Sequence, residues 1–341
     1  MAERRLTQRQ REQIQQVQER RRQRAAHRWA PDDATGLGPE QSGLIIAHQG
    51  RTLVVEDEAG RLFRCAARQN LGRLACGDQV LWQASNAAEG VIIAMQARRS
   101  LLTRPDYQGQ PRPVAANLDA VTVVLAPEPE LSEALIDRYL VALAAINVRG
   151  LLVLNKVDLL NPATLAALQE RLEPYRRIGY PVLLASSRTA QGLEPLRAWL
   201  RGRISLLVGQ SGVGKSSLIK ALLPDRAIRI QAVSQATGHG THTTSGSTLY
   251  HLPGGGDLID TPGVRSFELG KISLADLDRG FGDISPYLGR CRFSDCRHEV
   301  EPDCALQAAV ADGAIAPRRL ASYQQLRAAL GTAIRPNRAL G

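Results

Sequence analysis

The stretch LLVLNKVDLL, residues 151–160, is an apolar run that breaks into Asn-Lys-x-Asp. A short apolar run bounded by polar residues predicts a buried strand. Its end would carry Asn155, Lys156, Val157 and Asp158 on a loop. A second apolar run, RISLLV at 203–208, opens into GQSGVGKSS at 209–217, and SSLIKALL follows with a helical pattern. Gly209, Gly214, Lys215 and Ser216 satisfy G-x-x-x-x-G-K-[ST] in a strand–loop–helix context. Glycines let backbone amides close around phosphate oxygens, the helix N-terminus faces the anion, and the Lys reaches the outer phosphates.

The phosphate loop therefore comprises Gly209, Gln210, Ser211, Gly212, Val213, Gly214, Lys215, Ser216 and Ser217, with Ser216 as a Mg²⁺ ligand. DTPG at 260–263 follows the strand pattern GDLI, 45 residues beyond Lys215. Asp260 there is expected on the Mg²⁺ side, and the Gly263 amide at the terminal phosphate. Asp158 can accept two hydrogen bonds from the N1 and N2 donors of guanine, a donor pair that adenine lacks. Asn155 is expected to tie its loop to the phosphate loop, while the Lys156 stem covers the base. ASS at 185–187 also ends a strand pattern, and Ser186 suits a contact to the guanine O6 edge.

These loops occur in an unusual order. A base-reading loop commonly follows the phosphate loop by about a hundred residues, whereas here it precedes it. Nucleotides bind at the carboxyl ends of strands in α/β sheets, so geometry rather than chain order makes the site. Joining nearby termini and cutting elsewhere preserves every loop. The order base loop, ASS loop, phosphate loop, Gly/Thr-rich stretch, DTPG is that of a circular permutation.

Working outward, residues 117–223 alternate strand and helix patterns, which means βα units and a parallel sheet. SEALIDRYLVALAAIN reads as a helix capped by Ser132. Upstream, five short β-rich runs between residues 42 and 100 predict a small barrel; they fit an OB-fold, and an SH3-like barrel fits the pattern nearly as well. Cys65 and Cys76 lie there without ligand spacing and read as core or surface residues. Residues 1–38 form a polar tail, with nine Arg against three Glu in the first 28 positions. Such a run is a solvated tail that can also serve as a basic arm on RNA.

The 341 residues carry a net charge of +10. That charge favours a polyanionic partner and says nothing about the fold. No apolar run approaches the roughly eighteen residues of a membrane span, and the N-terminus lacks a secretory h-region. Five Cys do not suggest a disulfide framework. A cytoplasmic, monomeric protein that binds no membrane is the expectation. Near the C-terminus, Cys291, Cys296, His298 and Cys304 make a C-x₄-C-x-H-x₅-C set. Three thiolates and an imidazole are ligands that Zn²⁺ prefers, and four of them close a tetrahedron with no open position, which predicts one structural zinc.

The basic tail, small barrel, permuted nucleotide domain and Cys/His set together resemble the ribosome small-subunit-dependent GTPase A family (RsgA, also called YjeQ or EngC). The resemblance covers nearly the whole chain. It implies a multi-domain α/β protein: a tail over 1–38, an OB-fold over 39–105, a circularly permuted P-loop GTPase over 106–272 and a helical zinc domain over 273–341. It implies hydrolysis of GTP to GDP and phosphate, stimulated by the 30S subunit and its 16S rRNA, in late maturation of that subunit. The alternative is a nucleotide-gated RNA-binding protein in which hydrolysis is incidental.

The family's switch stretch resembles Gly-Arg-His-Thr-Thr-Thr, whereas this chain has Gly240-Thr241-His242-Thr243-Thr244-Ser245. His242 is the candidate to orient water, and Thr243 or Thr244 to meet Mg²⁺ and the γ-phosphate. After DTPG, many GTPases place a water-orienting Gln, but here the residue is Val264, an apolar substitution the family shares. The chain then runs about twenty-five residues into the Cys/His set, a connection through which nucleotide state is expected to reach the zinc domain.

Overall fold

The computed structural model describes residues 37–49, 52–106, 110–225, 246–261 and 272–333. Five strands come first: β1 (Glu40–Gln49), β2 (Thr52–Glu56), β3 (Leu62–Ala67), β4 (Gln79–Ala84) and β5 (Glu89–Met95). They close in the order β1-β2-β3-β5-β4-β1, with β3 and β5 parallel. That closed five-stranded ring is an OB-type barrel and resolves the ambiguity of the strand rhythm. Its core gathers Ile45, Val55, Phe63, Val80, Trp82 and Ile92. Gly43 is required there, because a Cβ would come within 2.9 Å of both Val55 and Trp82 side-chain atoms.

The barrel is not a separate body. The first half of β1 pairs with β4, from Glu40↔Gln83 to Leu44↔Gln79. Beyond a bulge, its second half pairs with strand β12 (Ser247–His251) through Ala47↔Thr248 and His48↔Ser247. A bulge bends a strand and releases an edge, and here the released edge is covered by another strand. A hairpin of β6 (Leu101–Pro105) and β7 (Pro111–Ala116) follows the barrel, so the domain boundary expected at 105/106 falls at its turn.

The nucleotide-type domain adds β8 (Ala120–Leu125), α1 (Glu133–Ala145), β9 (Arg149–Leu154), α2 (Pro162–Arg177), β10 (Val182–Leu184), α3 (Leu193–Leu200), β11 (Ile204–Val208) and α4 (Lys215–Leu222). Strands β12 and β13 (Asp257–Asp260) complete the sheet β10-β9-β8-β11-β13-β12, parallel except for the β12–β13 pair. Strand side chains alternate between faces. Val121, Val123 and Leu125 accordingly pack with α1 and α2, whereas Val124, Leu151 and Leu207 pack with α3 and α4. Ser132 caps α1 by accepting from Leu135 N, and Asn161 caps α2 through Thr164 N.

The C-terminal module holds α5 (Leu274–Gly280), α6 (Ala305–Ala311) and α7 (Pro317–Ala333). Its core includes Val141 of α1. Gly280 allows this contact, since a Cβ there would stand 2.6 Å from Val141 Cα. Among the described residues no helix is long and apolar enough to cross a membrane. Cys65 and Cys76 are buried free thiols of the core.

Candidate nucleotide site and metal centre

The carboxyl ends of β8, β9, β11 and β13 meet along one sheet edge. At the end of β11, Gly209, Gly212 and Gly214 take positive φ values of 144°, 86° and 92°. A Cβ on Gly209 would collide with the Val124 carbonyl, and one on Gly214 with Asn155 Nδ2, so only glycine fits either position. Lys215 opens α4, and its Nζ donates to the carbonyls of Gly209 (2.7 Å) and Gln210 (2.6 Å). The ammonium thus sits over the loop whose amides would cradle phosphate. Ser216 and Ser217 are exposed in the first turn of α4. Asp260 ends β13, which runs parallel beside β11 with Leu206 opposite Ile259. That register puts Asp260 beside the carboxyl-terminal half of β11, the strand that leads into the phosphate loop.

At the end of β9, Asn155 is fully buried. Its Nδ2 donates to the Val213 carbonyl at 2.9 Å, and its backbone N–H donates to Leu125 at 2.8 Å. Lys156 adopts the left-handed region, φ 63°, and its Nζ donates to the Glu128 carbonyl at 3.0 Å. Val157 is buried and donates its N–H to the Ala185 carbonyl, stitching this loop to the one after β10. Ser186, also buried, is the hub of that second loop. Its Oγ accepts from the amides of Arg188 (3.2 Å) and Thr189 (3.1 Å). The hydroxyl proton is then left for Asp158 Oδ1, 2.6 Å away. The carboxylate is thereby fixed in orientation while keeping acceptor capacity at Oδ2, which the exposed Arg188 guanidinium approaches at 3.9 Å.

One part of the site escaped the sequence reading. The loop 127–131, between β8 and α1, supplies the carbonyl that receives Lys156. It also lies beside the phosphate loop, since a Cβ on Gly212 would stand 3.6 Å from Pro129 Cδ. Its place follows from strand order, which the sequence does not label: β8 neighbours β11, so the loop at its carboxyl end borders the site. His242, Thr243, Thr244, Gly263 and Val264 lie outside the described residues, as does the basic tail through residue 36.

The C-terminal cluster assembles as its spacing suggested. Its four donor atoms lie within 4.8 Å of one another. His298 Nδ1 is 3.4 Å from Cys291 Sγ and 3.5 Å from Cys304 Sγ, and those two sulfurs are 3.9 Å apart. A tetrahedron with metal–sulfur bonds of about 2.3 Å and metal–nitrogen bonds of about 2.0 Å has edges of roughly 3.5–3.8 Å. The donor set therefore fits a four-coordinate ion, and the cluster could hold a metal. His298 takes a positive φ of 67° to turn inward. Its carbonyl accepts from Gln307 Nε2 at 3.1 Å and from Gln324 Nε2 of α7, which fixes the strained turn.

Comparison with known proteins agrees with this geometry. The family model of the RsgA GTPase matches residues 95–270. A curated relative from Azotobacter vinelandii, a small ribosomal subunit biogenesis GTPase RsgA, is 50% identical over 338 residues, covering 97% of this chain and 98% of the relative. A relative of the same description from Pseudomonas fluorescens is 48% identical over equal coverage. The crystal structure of YjeQ from Thermotoga maritima superposes with a TM-score of 0.70 at 31% identity, covering 87% of this chain and all of that one. The structure of YloQ, described as a circularly permuted GTPase, gives 0.69 at 30% identity, covering 90% and 99%.

Proposed function

The chain belongs to the RsgA GTPase family and is a circularly permuted GTP hydrolase, and from that premise we propose that it acts in the cytoplasm on the small ribosomal subunit, assisting its late maturation through contact with 16S rRNA. The arrangement that carries the reading is the joining of base loop and phosphate loop by Asn155 and Val213, with Asp158 held by Ser186 beside them. Relatives of nearly full coverage are named for small-subunit biogenesis.

In this reading Asp158 accepts from guanine N1 and N2, and Ser186 keeps that carboxylate aimed at the base. Lys156 covers the ring, with the neighbouring Val157 N–H pinned to Ala185 and its own ammonium held by the Glu128 carbonyl. The amides of residues 209–214 receive the β-phosphate, and Lys215 leaves the loop carbonyls for the β/γ oxygens. Ser216 and Asp260 would hold Mg²⁺, an ion that would offset the charge developing on the transferred phosphoryl group. Gly263 contacts the γ-phosphate, and Thr243 or Thr244 completes the site, with His242 orienting the attacking water. Hydrolysis releases GDP and phosphate. The ion of the Cys291/Cys296/His298/Cys304 cluster is zinc in a structural role, because every position of the tetrahedron is filled by protein.

GTP turnover measured with purified small subunits, large subunits and whole ribosomes tests the proposal. Stimulation by the small subunit is the expected result. Equal turnover with and without it would remove the subunit as partner and favour incidental hydrolysis in a nucleotide-gated binder, a reading to which Val264 lends support.

A further inference from the structure

Two adjacent arginines of the C-terminal module grip the helix that borders the nucleotide loops. Glu133 and Asp137 lie one turn apart on α1 and so share a face. Arg319 of α7 is fully buried, donates to Asp137, and forms a two-point pair with Asp283 at 3.0 and 2.7 Å. Its guanidinium stacks over Phe281 (4.3 Å) and near Tyr175 of α2 (5.4 Å). Arg318 takes the other acid, with Nη1 3.2 Å from Glu133 Oε1.

From Glu133 the connection runs straight to the site. Arg171 of α2 holds both Glu133 oxygens, at 2.8 and 2.9 Å, and its Nη2 also donates to the Leu131 carbonyl at 2.8 Å. Arg318 in turn donates to the backbone carbonyl of Arg171. Leu131 ends the loop whose Glu128 carbonyl receives Lys156. Polar contacts therefore run from α7 of the C-terminal module to the Leu131 carbonyl, and the short backbone from Leu131 back to Glu128 completes the path to Lys156.

We propose that Arg318 is a positioning residue of the nucleotide site, through which the C-terminal module sets the pose of the loop 127–131 and thereby the affinity for guanine nucleotide. This deepens the nucleotide-site reading above and rests on it. The connection expected through the residues after DTPG falls outside the described residues, and α1 supplies a separate route. Linkage makes the coupling reciprocal: whatever binds the module and shifts α7 changes nucleotide affinity, and nucleotide changes that binding by the same factor.

Loss of Arg319 would strand two buried carboxylates and unfold the module, so the variant to make is Arg318→Met, at a side chain one-third exposed. Binding of a fluorescent N-methylanthraniloyl GDP should weaken about fivefold or more, with metal content and far-UV circular dichroism unchanged. Arg318→Lys should recover part of the loss. In a cycle with Lys156→Met the two effects on affinity should be non-additive, because one acts through the other. If wild type binds the probe and Arg318→Met binds it within twofold, or the cycle is additive, the positioning role is overturned. If wild type itself fails to bind the probe, the nucleotide-site reading fails instead.

Discussion

Asn155 Nδ2 and the Val213 carbonyl oxygen, 58 residues apart in the chain, are joined by a 2.9 Å hydrogen bond in the buried floor of the site. This bond holds together two loops whose order in the sequence is reversed by permutation. Asn155→Ala leaves the Val213 carbonyl buried without its donor, at a cost of about 1–3 kcal/mol. Chemical denaturation should show that loss, and guanine-nucleotide affinity should fall roughly tenfold for each 1.4 kcal/mol felt at the site. Unchanged affinity would mean that the loops are positioned by other contacts.

Base choice should reside in Asp158. Asp158→Asn puts an amide donor where guanine presents its own donors, so GTP affinity should collapse and affinity for xanthosine triphosphate, which offers a carbonyl, should rise. Ser186→Ala removes the hydroxyl that aims the carboxylate and should weaken GTP binding without creating xanthine preference. Isothermal titration with both nucleotides separates the two outcomes.

Barrel and sheet share an ionic clasp with a defined pH response. His251 of β12 sits 2.6 Å from Asp257 Oδ1 and 2.6 Å from Glu56 Oε2 of the barrel. Asp257 first and Glu56 second raise its pKa to about 10, against about 6.5 in an unfolded chain. A raised pKa contributes stability in full below pH ~6.5, and that contribution is lost as pH climbs toward ~10. Urea midpoints of wild type should therefore fall between pH 7 and 10, and those of His251→Gln should fall less. Parallel pH slopes for the two proteins would show that the clasp contributes nothing.

Zinc should be stoichiometric and confined to the C-terminal module. Cys296→Ala removes one of four ligands and should lower bound zinc by at least tenfold. It should also destabilise the module, whose core Cys296 and Cys304 help to fill, while N-methylanthraniloyl GDP still binds. Elemental analysis of the wild type that returns no zinc would overturn the assignment.

Val264 offers no group to orient water, so turnover by the free protein should be slow, on the order of 10⁻⁴ s⁻¹. His242→Ala should retain GTP and small-subunit binding yet lose most of the stimulated rate, whereas Val264→Ala should alter stimulation much less. Full stimulation of the His242 variant would assign water orientation to the subunit.

The site was legible wherever chemistry demands a residue type at a fixed spacing. Gly209, Gly214 and Lys215, the Asn155–Asp158 loop, and the Cys291/Cys296/His298/Cys304 set are local patterns, because each loop must present its donors within a few bonds of its own backbone. The helix start at Ser132 was legible for the same reason, since a cap acts within three residues. Hydrophobic alternation over residues 42–100 foretold a barrel but not which barrel. Strand rhythm records which face is buried and carries no label for the neighbouring strand.

The sequence by itself determined the strand-end loops, the metal tetrad and the permuted order that makes a single site from them. Only the tertiary structure decided that β1, while staying paired with β2, changes its other partner at the bulge from β4 to β12, that the loop 127–131 borders the phosphate loop, and that Arg318 and Arg319 reach α1 across more than 180 residues. The physical reason is range. Caps, turns and ligand spacings are settled by bonds between near neighbours in the chain. A strand edge or a buried charge is settled by whichever distant group packing brings within about 3 Å, because leaving either one unpaired in the interior is too unfavourable to persist.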